Sequence, residues 1–158
     1  MTAKVIQTSK NIINQYSNLP SPAEPDWGGE FSFPVAADNL SDVELDNWML
    51  RLGAWRGYVS SELSELESRI SIIEPAFELK VGTVMAETPL PSDRRTVKEI
   101  VRSLAIQGND ELMEIQGEVF QLKAAIKLLR GKLDFYTTQF EAISRVVSRR
   151  GQERVRLS

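Results

Sequence analysis

Residues 112–147 read LMEIQGEVFQLKAAIKLLRGKLDFYTTQFEAISRVV, and the expected architecture follows from this run. Leu112, Ile115, Val119, Leu122, Ile126, Leu129, Leu133, Tyr136, Phe140, Ile143 and Val147 recur at alternating steps of three and four. On a helix those steps place every one of them on a single face. All eleven are apolar or aromatic across five heptads, which is a coiled-coil seam with a left-handed supercoil implied by its period. Val97, Val101 and Leu104 lead into it, and Gly108-Asn109-Asp110 marks a break or a joint.

Upstream, a second helix opens at Ser41, a candidate N-cap with Glu44 at the capping-box spacing. Its stripe runs through Leu45, Trp48, Leu52, Trp55, Val59, Leu63, Leu66, Ile70, Ile73 and Phe77, with a stutter between Val59 and Leu63. Gly53 and Gly57 weaken it by about 1 kcal/mol each relative to alanine. Pro75 is expected to kink or restart it, with a continuation to Glu87. Thr88-Pro89-Leu90-Pro91 is a turn, after which Ser92 caps the next helix without a capping box.

Two long helices joined by a short proline turn predict an all-α, antiparallel helical hairpin over residues 41–158, roughly 60–70 Å long. Such a hairpin leaves Ile72, Val81, Val84, Ile100, Ala124, Leu128, Phe135 and Val146 beside the seams, so a homo-oligomer is expected. Residues 1–40 form an N-terminal arm. A short helix around Lys4 to Tyr16 precedes Pro20, Pro22, Pro25 and Pro34, whose rings force an extended or irregular path.

The 158 residues include no cysteine and no histidine. Disulfides, thiolate chemistry and the usual general base and metal ligand are thereby excluded. No apolar run reaches the roughly 18–20 residues of a membrane span and no signal peptide is evident, so a cytoplasmic chain without membrane or small-molecule partners is expected. No phosphate loop or catalytic constellation stands out, and no cofactor is implied. The carboxylates Glu62, Glu65 and Glu67, and Asp110, Glu111 and Glu114, read as solvated helix faces.

The net charge of −3 hides an asymmetry: residues 1–118 carry −9 and residues 119–158 carry +6. Lys123, Lys127, Arg130 and Lys132 precede a terminal cluster of Arg145, Arg149, Arg150, Arg154 and Arg156. Arginine forks match phosphate oxygens and would give salt-sensitive nucleic-acid binding. In an antiparallel hairpin the same cluster lies beside Asp42, Glu44 and Asp46, so internal pairing is the other reading. Arg94, Arg95, Lys98 and Arg102 form a second basic group near the turn, part of which would face Glu78 and Glu87. Trp27, Phe31 and Phe33 lie in the arm without periodicity, as in a segment that docks on a partner or packs back on its own hairpin.

From Leu45 onward the layout of a tryptophan-bearing helix, a polar connector and a long coiled-coil helix ending in Ser144-Arg145-Val146-Val147-Ser148-Arg149-Arg150-Gly151 resembles the UvsY-type phage recombination mediators. The proline-rich arm lies outside that resemblance. It implies a non-enzymatic oligomer that binds single-stranded DNA and assists a RecA-type recombinase. The DNA contacts it implies are Arg94, Arg95, Lys98, Arg102, Arg145, Arg149, Arg150, Arg154 and Arg156. Two other readings stand beside it: a structural or virion-assembly scaffold docking through Trp27, Phe31 and Phe33, and an acidic inhibitor of a host enzyme.

Overall fold

The computed structural model describes residues 22–25, 37–87 and 98–157. After a 3₁₀ turn at Ala37–Asn39 come three α-helices: α1 at Asp42–Glu87, α2 at Lys98–Gln107 and α3 at Asp110–Leu157. No strand occurs among the described residues, so the fold is all-α as the sequence predicts. None of these helices is long and apolar enough to cross a membrane. The expected arm helix at 4–16, the turn at 88–91 and the Ser92 cap lie outside the described residues.

Local signals place the ends of the helices. The Ser41 amide donates to Glu44 Oε2 at 2.7 Å and the Glu44 amide donates to Ser41 Oγ at 3.3 Å, a reciprocal capping box at the start of α1. The joint at Gly108 is a real break. The Gly108 amide still reaches the Leu104 carbonyl at 2.9 Å, but Asn109 caps a new helix, its Oδ1 accepting from the Leu112 amide at 3.1 Å. An asparagine side chain satisfies an amide that the first turn of α3 would otherwise leave without a partner.

The helices pack in two compact units. One contains Glu65–Ile126 and the other Pro20–Ser64 with Lys127–Ser158. In the first, Phe77, Val81, Ile106 and Leu112 form the buried core, flanked by Val84, Met85 and Ile115. In the second, Leu45, Leu52 and Ile143 are fully buried and are flanked by Trp48, Met49, Tyr136, Phe140 and Val147, among others. Both units pair α1 with α3 antiparallel. Arg69 meets Glu118 and Lys80 meets Glu111 in one; Asp42 meets Arg150 and Trp55 lies against Tyr136 in the other. Every seam residue of α1 and α3 is buried or half-buried, including Val59 and Leu63 on either side of the stutter.

Three expectations change. Pro75 does not restart a helix: α1 runs through it as one 46-residue element. Its ring is exposed, while Phe77 two residues on is buried in the core, so packing holds the helix across the missing amide. Val81 is not an uncovered flank but a core residue, 1% exposed, and Val84 and Val146 pack beside the cores. Leu104 is exposed, and Ala105 and Ile106 take the buried side of α2 with Val101. Packing against the Phe77–Val81 surface sets the rotation of this ten-residue helix, with Ile106 inward.

Leu52→Ala and Leu112→Ala each open a cavity at a position that is 0% exposed, one in each unit. Each is expected to cost about 2–5 kcal/mol in urea unfolding. Asn109→Ala, which removes only the cap, is expected to cost about 1 kcal/mol.

Candidate functional site

The terminal arginines sit on the last turns of α3, a 48-residue helix held by its seam. Seam residues Ile143 and Val147 face the α1 stripe, and this rotation carries Arg150 to its side, with only a quarter of its side chain exposed. Arg150 Nη1 donates to Asp42 Oδ1 at 2.9 Å and Nη2 donates to the Asp38 carbonyl at 2.7 Å. Arg154 donates to the second oxygen of Asp42, and Arg149 donates to the Asp38 carboxylate. Arg149 also lies 4.0 Å from Glu153. Two aspartates thus hold three arginines, with one guanidinium bridging a carboxylate and a backbone carbonyl.

Several effects coincide here. Asp42 is in the first turn of α1 and Arg154 in the last turn of α3, so each complements its own helix dipole as well as the other charge. Hydrogen bonds from Arg150 and then Arg154 hold the Asp42 carboxyl below its ordinary 3.8. Glu44 and Asp46, expected partners from the sequence, do not take part. Glu44 is held by Ser41, whose hydroxyl and amide keep its carboxyl below the ordinary range. Asp38 was not foreseen; the 3₁₀ turn that presents it, closed by the Leu40 amide on the Ala37 carbonyl, has no periodic signature.

Other candidates divide clearly. Arg102 forks onto both oxygens of Glu78 at 2.6 and 2.8 Å and lies over the Phe77 ring, 5.7 Å from its centroid. That fork lowers the Glu78 carboxyl and raises the guanidinium further. Among the described residues Arg145 reaches only Glu141, at 3.8 Å, and its side chain is 83% exposed. Lys98 and Arg156 are exposed and have no ion pair among the described residues. Arg94, Arg95, Trp27, Phe31 and Phe33 lie outside the described residues.

Of the other aromatics, Trp55 stands 5.9 Å from the Tyr136 ring, and burial raises the Tyr136 phenol. Phe140 carries the Arg56 guanidinium over its face at 4.8 Å. These rings are occupied by packing, as the seam predicts. Among the described residues no group of three or more acidic side chains could hold a metal ion.

Comparison with protein-family models, curated proteins and solved structures finds no significant match.

The Asp42 contacts carry a pH dependence with a definite sign. A carboxyl lowered in the folded state stabilises it fully above the ordinary value of 3.8 and loses that contribution as pH falls through the lowered value. Wild type is expected to melt higher than Asp42→Asn near neutral pH. The gap should close as pH falls below 3.8, read by helical circular dichroism on heating. A gap that is unchanged down to acid pH would show that the pairs contribute nothing through charge.

Proposed function

We propose that this chain is a non-enzymatic helical scaffold protein of the cytoplasm, whose terminal arginines close its own fold and whose aromatic arm at Trp27, Phe31 and Phe33 docks partners. One observation carries this reading: Arg149, Arg150 and Arg154 already have carboxylate partners on Asp38 and Asp42. A phosphate backbone would have to displace those contacts. Electrostatic nucleic-acid binding scales with the number of phosphates neutralised, so guanidiniums engaged within the fold lower it. Arg102, forked onto Glu78, adds to the same side.

The competing reading, a single-stranded DNA-binding mediator resembling the UvsY type, draws its support from the exposed cations Arg145, Arg156 and Lys98. Neither Arg145 nor Arg156 belongs to the aspartate contacts, so both can be replaced without opening that end.

Fluorescence titration of a labelled single-stranded oligonucleotide at low and moderate salt separates the two. The scaffold reading expects no appreciable binding at either salt. Binding that weakens steeply with salt, and drops in Arg145→Ala/Arg156→Ala while the melting temperature holds, would replace it with the mediator reading.

A further inference from the structure

In the unit holding Lys127–Ser158, the side of α3 away from its seam carries a second line of residues. Leu128 and Phe135 stand 62% and 45% exposed there. Gly131, Thr138 and Ala142 continue the line at helical steps of three and four, all exposed. A side chain added at Gly131 would meet nothing within 4 Å, so this side of the helix is open among the described residues. Large apolar residues alternating with small ones form a face that a second helix can approach closely.

Lys127 and Asp134 run along one flank of this line, one heptad apart. Both are exposed, and neither has an ion-pair partner among the described residues. Lys132 occupies the opposite flank, also exposed. This arrangement distinguishes the possible occupants. When two copies of one helix pair antiparallel through the same face, like flanks meet, and Lys127 of each copy comes within side-chain reach of Asp134 of the other. When they pair parallel, unlike flanks meet, and Lys127 of one copy comes beside Lys132 of the other. Charge favours the first arrangement and opposes the second.

We propose that two copies of this chain associate antiparallel through this face of α3, with Leu128 of each copy seated over Gly131 of the other and Lys127 paired with Asp134 on the flank. The occupant is a second copy because the surface is complementary to itself: large against small, positive against negative, about a single two-fold axis. This pairing does not depend on whether the chain is a scaffold or binds nucleic acid.

Sedimentation equilibrium at low salt tests it with the full chain. Wild type is expected to dimerise, and Lys127→Glu and Asp134→Lys are each expected to raise the dissociation constant about tenfold, because each places like charges together twice. Mixing the two variants restores wild-type affinity, since both contacts become attractive in the mixed pair. Leu128→Asp abolishes the dimer while helical circular dichroism is unchanged. A monomer at every concentration would overturn the proposal, as would a dimer indifferent to both charge reversals. A dimer tightened by Lys127→Glu would overturn it too, because only the parallel arrangement, with Lys132 opposite, predicts that result.

Discussion

Burial of one apolar stripe against another underlies the rest of this structure. Helices of 46 and 48 residues do not hold together through hydrogen bonds alone, since propensity is weak and each contains several glycines. The favourable term is the removal of Leu45, Leu52, Phe77, Val81, Leu112 and Ile143 from water. This term also explains why Pro75 is tolerated. A missing amide and a crowded carbonyl cost about 3 kcal/mol, and buried neighbours such as Phe77 oppose that cost within the same unit.

Charge follows from that burial. Once Ile143 and Val147 are turned toward α1, the arginines of the same turns have fixed directions, and Asp38 and Asp42 stand within reach. Exposed pairs of this kind contribute little stability individually. Their value is selective, because this antiparallel register brings opposite charges together. The pairs Arg69 with Glu118 and Lys80 with Glu111 say the same in the other unit, and Glu74 with Lys123 joins them.

A basic cluster therefore has two physical meanings that composition cannot separate. The excess of +6 over residues 119–158 is the same number whether it meets phosphate or aspartate. What differs is whether the guanidiniums are engaged. Three of the terminal arginines pair with Asp38 and Asp42, while Arg145 and Arg156 stand outside those contacts.

Features that depend on residues a few positions apart were legible in the chain's spacing: the two seams and the Ser41–Glu44 capping box, with Gly108 left as either a break or a joint. Those interactions close within one or two helical turns, so spacing alone specifies them. What meets across the fold depends instead on packing. Arg150 and Asp42 are separated by 108 positions, and the choice of Asp38 over Glu44 and Asp46 came from a 3₁₀ turn and a competing cap. The rotation of α2, with Ile106 inward and Leu104 outward, was likewise set by the surface beneath it. Contacts between distant segments depend on how packing orients each helix, and no local pattern records that orientation.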